Sequence, residues 1–357
     1  MVVKKVGVLG ATGTVGQRFL TLLADHPNFK IAVLGASARS AGKLYKEATK
    51  WKQTSPMPKM VADMTVKPCE VKEFTECDIV FSGLDSDFAG EIEKNFRDAN
   101  LAVVSNAKNY RRTPNVPLVV PTVNTEHLDV LKSQRRENNL DHGCIITNSN
   151  CSTAAVVVPL KALQDAFGPI DKVSVVSMQA ISGAGYPGVS SLDMLDNVVP
   201  YISGEEDKIE WETRKILGGV NESVSAFELT DTVVSAQCNR VPVIDGHLMC
   251  ISVKFANATP SVSDVHKALN EYVSEAQKLD CHSAPKQAIV VFDDSCPDRP
   301  QPRLDRENQQ GYAVSVGRIR SDSIFDVKFV SLVHNTVLGA AGAGILNAEV
   351  AVKKGLL

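Results

Sequence analysis

The chain has 357 residues and a mass of 38.5 kDa, with 44% hydrophobic and 22% charged residues. This excludes a disordered or fibrous chain, and at ~150 residues per domain the length points to two domains. With 38 Lys and Arg against 41 Asp and Glu the net charge is −3, which favours neither nucleic acid nor an anionic membrane surface as partner.

Lys5–Leu9 reads as a strand, entered without a charged leader ahead of an apolar stretch, so no secretory signal is expected. Val15, Phe19, Leu22 and Leu23 then recur as one face of a helix. Further strands are predicted at Lys30–Leu34, Asp78–Ser82, Leu101–Ser105 and Cys144–Thr147. Strand and helix alternate, which predicts a parallel α/β sheet of Rossmann type. Beyond residue 150 the texture changes. Ser152–Phe167 reads as a helix, Lys172–Gln179 as a strand and Asp207–Leu217 as a helix. Longer alternating runs follow at Thr232–Cys238, His247–Phe255, Tyr312–Ile319 and Phe325–Val333, predicting a mixed, largely antiparallel sheet. Such strands suggest a subunit interface on the sheet face. Ser295–Gln310 reads as a surface loop and Gly339–Val352 as a helix returning to the first domain. The expected division is therefore 1–150 plus 336–357 for one domain and 151–335 for the other. The longest apolar run, near Ala154–Leu160, falls short of the ~20 residues of a membrane helix.

The stretch Gly10-Ala11-Thr12-Gly13-Thr14-Val15-Gly16 lies between the first strand and the first helix. Glycines there let the backbone turn sharply and approach a pyrophosphate, which the helix N-terminus then receives. The spacing is G-x-x-G-x-x-G, a partial match to the dinucleotide fingerprint. After the second strand no Asp or Glu awaits a ribose 2′-hydroxyl. Ser37, Arg39 and Ser40 stand there instead, with Lys43 close by, and suit a 2′-phosphate. The expected cofactor is NADP rather than NAD.

Eight cysteines occur and none forms C-x-x-C, so no zinc ribbon is expected; without a secretory signal their setting is a reducing cytosol. Histidines at ligand spacing are also missing, and no metal is expected. Cys151, in Asn148-Ser149-Asn150-Cys151-Ser152, falls between a strand and a helix. A helix N-terminus lowers a thiol pKa and raises its thiolate fraction, which attacks carbonyls. Cys144, Cys238 and Cys250 sit in apolar strand patterns and read as inert core. His247, after the turn Val243–Gly246, and Arg240 before it could reach one cleft by a single chain reversal.

With these residues in view, the sequence resembles the aspartate-β-semialdehyde dehydrogenase family, in its archaeal and fungal branch. The resemblance spans nearly the whole chain. It rests on the stretches 10–16, 37–43, 105–111, 149–152, 179–185, 212–217, 239–247 and 335–342. It implies NADPH-dependent reductive dephosphorylation of aspartyl phosphate to the semialdehyde, on the route to threonine, methionine and lysine. Cys151 would be the nucleophile that forms a thioester, His247 the acid/base, and Gln179 the residue orienting the acyl intermediate. Arg240 would clamp the substrate α-carboxylate and Glu212 its ammonium. Lys215, Arg111 and Asn106 would hold the phosphoryl group, with Arg111 chosen over its neighbour Arg112. Asn335, Ser182 and Gly183 would lie along the cofactor cleft. A homodimer or homotetramer is implied. Competing readings are a reductase of another acyl donor such as malonyl-CoA, an N-acetylglutamyl-phosphate reductase, and a non-catalytic NADP-binding sensor. Glu212, as the ammonium partner, speaks against the first two.

Overall fold

The computed structural model describes residues 3–257 and 259–357. Seven strands form one parallel sheet: β1 (Lys4–Leu9), β2 (Phe29–Ala36), β3 (Lys67–Pro68), β4 (Ile79–Ser82), β5 (Ala102–Ser105), β6 (Leu118–Val119) and β7 (Cys144–Asn148). Their order is β3-β2-β1-β4-β5-β7-β6. β4, β5 and β7 are buried at every position, as near-continuous apolar strands covered on both faces must be. The two-residue strands β3 and β6 are too short to leave a periodic signal in the sequence. Between β1 and β4 the order reverses, and there an open α/β sheet leaves a crevice beyond its carboxyl ends.

Among the helices that connect these strands, the two longest are α1 (Thr14–Leu23) and α2 (Ser86–Asp98). The buried side of α1 is Phe19, Leu20 and Leu23, with Phe19 stacked on Phe81 at 5.2 Å. Leu20 thus takes the place expected of Leu22, because α1 is covered from a second side by the chain's end. There Phe19 packs so tightly on Gly344 that a Cβ would come within 3.2 Å of its ring.

α3 (Cys151–Phe167) starts directly after β7 and leads to β8 (Ile170–Gln179). After α4 (Glu205–Ile216) comes a small hairpin of β9 (Gly219–Val220) and β10 (Phe227–Glu228). The second large sheet adds β11 (Val233–Arg240), β12 (His247–Phe255), β13 (Ile289–Val291), β14 (Val314–Ser321) and β15 (Val327–Val333). Its order is β11-β8-β12-β15-β14-β13. The β11–β8 and β13–β14 pairs are parallel and the other three antiparallel. α3 covers one face, with Val156, Val175, Met249, Ile251 and Phe329 in a common core. The opposite face stays open, and Gln237, Val176 and Cys250 stand in register across it. Cys250 is therefore exposed and not core, since strand alternation turns it outward; Cys144 and Cys238 are buried.

The last helix, α5 (Gly342–Lys353), packs on β5 and β7. It begins three residues later than expected, because Ala340 is non-helical within the wide turn Val337–Ala341. The expected loop 295–310 contains a helical turn, Pro302–Asp305, pinned by the Arg299–Asp305 ion pair.

Candidate active site

A cleft of about 800 Å³ opens where the carboxyl end of the first sheet meets the second. Cys151 lies at its floor as the first residue of α3. The helix starts there because Asn150 caps it, its side-chain oxygen accepting from the Ser152 N–H at 2.9 Å. Cys151 Sγ is 3.2 Å from His247 Nε2. His247 opens β12 and is fully buried, and its Nδ1 accepts the Ala180 N–H at 3.0 Å. The same residue's carbonyl accepts from Arg240 Nη1 at 2.8 Å. One peptide segment thus fixes both the histidine and the arginine.

Two glycines let these groups meet. A Cβ on Gly183 would lie 3.0 Å from both Arg240 Nη1 and His247 Nε2. On Gly339 it would lie 2.9 Å from the Cys151 Cβ. The expected lowering of the thiol pKa is not what the site produces. Burial, reinforced by Glu205, pushes the Cys151 thiol up to about 12 against the opposing pull of Arg111 and Arg240. Burial, with Arg240 and His334, pushes His247 down to about 3. The resting pair is a neutral thiol facing a neutral imidazole. One helix terminus is worth ~0.3–2 kcal/mol, and desolvation exceeds it here.

The charged residues divide into those that face the cleft and those beneath it. Arg240, at the end of β11, faces it, as do Arg111 and Asn106. Arg111 spans from Glu212 (2.8 Å) to the carbonyls of Asn106 and Ser149, while Arg112 turns outward to Asp207. Glu212 and Lys215 do not reach the cleft. Glu212 has one oxygen on Arg111 and the other on the Asn150 N–H at 2.6 Å. Lys215 Nζ is spent on the Arg111 and Val116 carbonyls at 2.7 and 2.9 Å, and burial pushes it down to about 7. The reason is helical geometry. α4 approaches the cleft with its first turn only, and the residues there are Glu205 and Lys208. Glu205 accepts from Asn150 Nδ2 at 2.8 Å and from Lys208 Nζ at 3.0 Å. This pair repeats the spacing of Glu212 and Lys215 seven residues earlier, on the same helical stripe. The sequence carried that signal, but the later pair drew it. Gln179 is buried outside the cleft lining, its amide donating to Ser177 Oγ at 3.3 Å.

The glycine loop fits a dinucleotide. Gly10 has φ +70°, and a Cβ there would come 2.7 Å from the Gly83 carbonyl oxygen. Gly13 precedes α1 with no side-chain cap, which leaves the first-turn N–H groups free for an anion; Thr14 and Val15 line the cleft. Gly10, Thr12 and Gly13 form the turn behind them, closed by the Gly13 N–H on the Gly10 carbonyl. Ser37, Arg39 and Ser40 occupy a solvent-facing turn at the carboxyl end of β2, and Arg39 has no ion-pair partner among the described residues. Across the cleft, Asn335 joins two loops: its oxygen accepts from the Gly246 N–H and its nitrogen donates to Ser182 Oγ, both at 2.8 Å. Among the described residues no three His, Cys, Asp or Glu side chains come together as metal ligands, and no helix is long and apolar enough to cross a membrane.

Family models agree with this architecture. The semialdehyde dehydrogenase NAD binding domain matches residues 5–131, and the semialdehyde dehydrogenase dimerisation domain matches residues 160–338. By class the chain is a semialdehyde dehydrogenase, and the dimerisation domain points to a homo-oligomer. An aspartate-semialdehyde dehydrogenase of Schizosaccharomyces pombe is 80% identical over 100% of both chains. That of Saccharomyces cerevisiae is 56% identical over 99% of each. The crystal structure of the Candida albicans enzyme with NADP superposes with a TM-score of 0.93 at 59% identity, covering 99% of this chain and 100% of that one. A Vibrio cholerae enzyme complexed with ASA gives 0.75 at 26% identity over 99% of each. The chain belongs to the aspartate-semialdehyde dehydrogenase family.

Proposed function

We propose that this chain reduces L-aspartyl-4-phosphate to L-aspartate-4-semialdehyde with NADPH, releasing phosphate, on the route to threonine, methionine and lysine. The observation that carries the reading is the Cys151–His247 contact at 3.2 Å, in one cleft with the glycine loop at its far wall. Cys151 attacks the acyl carbon and holds the acyl group as a thioester. Arg240 takes the substrate carboxylate, for which a planar guanidinium is suited. Glu205 receives the ammonium. Lys208, Arg111 and Asn106 surround the phosphoryl oxygens. Gly10, Gly13, Thr14 and Val15 hold the cofactor's pyrophosphate, and Ser37, Arg39 and Ser40 its 2′-phosphate. NADPH, when bound, supplies the hydride that reduces the thioester. His247 delivers a proton to Cys151 Sγ as the hemithioacetal collapses to the aldehyde and the thiol leaves, and Ser182, Gly183 and Asn335 fix the loops around it.

Glu205, beside Cys151 in the cleft, favours an amine-bearing substrate over a malonyl donor. A division into 1–150 with 336–357 and 151–335 matches the two sheets. The open sheet face around Val176 and Cys250 suits pairing between copies as a dimer or tetramer. Eight free thiols suit a reducing cytoplasm. The test is NADP reduction with aspartate semialdehyde and phosphate, wild type beside Cys151→Ala. Phosphate-dependent turnover lost in the variant supports the reading. A folded, NADP-binding wild type without turnover refutes it.

A further inference from the structure

Most cations that line the cleft are already held or solvated. Arg111 is on Glu212, Arg240 on the Ala180 carbonyl and Lys208 on Glu205. Lys52 lies over the Tyr186 ring at 4.3 Å, and Lys108 is exposed to water. Arg18 lines the same cleft and differs from all of these. It is half-buried, and its Nε is buried with no hydrogen-bond partner among the described residues. Burial pushes the guanidinium below its ordinary value, against the opposing pull of Asp245 and Glu307. Neither carboxylate claims it. Glu307 pairs with Arg306 and His334, and Asp245 makes no ion pair among the described residues. A desolvated guanidinium without a counter-charge is costly, and it carries only donors. The partner it lacks is an anionic acceptor.

Helical geometry places that anion. Thr14, Val15 and Arg18 stand at i, i+1 and i+4 of α1, and all three line the cleft. Side chains on a helix lean toward its N-terminus, so Arg18 reaches back over the first turn. There Gly13 supplies no side-chain cap and the N–H groups are free. The stretch Gly10–Gly16 contains no Lys or Arg. A pyrophosphate received by it meets N–H dipoles, and the full positive charge comes from Arg18. Asp245 lines the cleft from the turn that leads into His247, and its attraction sets the guanidinium on the side of the second domain. Ser37, Arg39 and Ser40 take the adenosine end of the cofactor. The end of the pyrophosphate toward Asp245 is therefore the nicotinamide end.

We propose that Arg18 is a cofactor-binding residue whose guanidinium pairs with the phosphate on the nicotinamide side of the NADP pyrophosphate, with Asp245 as a competing anion at the same guanidinium. This rests on the glycine loop as the pyrophosphate site. It gives the two arginines of the cofactor domain separate tasks. Arg39 meets the 2′-phosphate, at the adenosine end. Arg18 meets the phosphate nearest the reacting ring and so holds the half of the cofactor that must lie against Cys151. The Arg18 side chain also spans from α1 toward the turn before His247, so the cofactor replaces an unmet attraction between the domains with a met one.

Calorimetric binding to the free protein tests this without turnover, using NADP and two fragments of it. One, 2′-phospho-ADP-ribose, keeps both phosphates of the pyrophosphate and lacks the nicotinamide. The other, adenosine 2′,5′-bisphosphate, lacks the nicotinamide-side phosphate. Arg18→Gln is expected to weaken NADP and 2′-phospho-ADP-ribose alike, by about 10–100-fold in Kd, and to leave the bisphosphate unchanged. Arg39→Ala is expected to weaken all three. Asp245→Asn, which removes the competing anion, is expected to bind NADP no more weakly than wild type. Unchanged NADP binding in Arg18→Gln overturns the proposal. So does a loss confined to NADP, which would set the guanidinium at the nicotinamide. A loss in Asp245→Asn equal to that in Arg18→Gln also overturns it, because Arg18 would then serve an ion pair between the domains. Should Arg18→Gln lose the bisphosphate as well, Arg18→Lys decides: affinity for NADP nearer to wild type upholds the proposal, and an equal loss overturns it. A folded wild type that binds none of the three refutes the glycine loop as the cofactor site.

Discussion

Glu205 and Glu212 offer a direct comparison, because they lie two helical turns apart on α4 with opposite surroundings. Glu205 lines the cleft, its oxygens on Asn150 Nδ2 and Lys208 Nζ, whereas Glu212 lies beneath it with its oxygens on Arg111 and the Asn150 N–H. In Glu205→Gln the shape and the Asn150 contact are kept and the charge is removed. A hydrogen bond to a charged partner contributes ~1.5–3 kcal/mol, so losing the substrate ammonium's counter-charge corresponds to about 10–150-fold in kcat/KM. The assay compares aspartate semialdehyde with succinate semialdehyde, which lacks the amine. The preference for the amine-bearing substrate is expected to fall by that factor in Glu205→Gln, with a smaller loss of thermal stability than in Glu212→Gln because its partner Lys208 is partly exposed. Glu212→Gln should do the reverse. It breaks a buried ion pair, at about 3–5 kcal/mol, and is expected to lower the melting temperature while leaving the substrate preference intact. If Glu205→Gln keeps the preference and Glu212→Gln abolishes it, the assignment of the two carboxylates is wrong.

Gly183→Ala places a methyl 3.0 Å from His247 Nε2 and Arg240 Nη1, so kcat should fall about a hundredfold with NADP binding retained; unchanged kcat would mean that the loop yields freely. Arg39→Ala should lower kcat/KM for NADPH by about 10–100-fold and leave that for NADH unaltered, as expected if the guanidinium meets only the 2′-phosphate. Glu93 is buried in α2 against Ser105, and burial pushes its carboxyl up to about 7 from 4.5. Between those values the folded state binds more protons than the unfolded one, so stability falls as pH rises through that window. Glu93→Gln should therefore match wild type near pH 4 and exceed it at pH 8 by about 1–3 kcal/mol, read by denaturant unfolding at the two pH values. Equal stability at both would remove the buried charge from the account.

Much of the architecture was legible because the relevant signals are local. The β1 to α1 turn needs its glycines wherever the rest of the chain goes, and the buried strands of the first sheet carry continuous apolar runs. The alternation in β11, β12 and β15 likewise marked a sheet with one covered face. What was hidden depended on tertiary placement. The sequence says that Cys151 starts a helix, but not that burial outweighs the helix dipole. It shows two acidic–basic pairs on α4 but not which turn enters the cleft. Gly339 is one glycine among several in 335–344, and only the contact with Cys151 gives it a role. Ala180 carries no side-chain chemistry at all; its contribution is its backbone N–H and C=O, which no composition or motif reveals.

The central claim is a covalent acyl group on Cys151. Its most direct test is to mix the protein with aspartyl phosphate in the absence of NADPH, quench in acid and map the adduct by peptide mass spectrometry. An aspartyl thioester on the peptide bearing Cys151, discharged on adding NADPH and absent in Cys151→Ala, is the expected result. Turnover without any adduct at Cys151, or an adduct confined to another of the eight cysteines, would contradict the account.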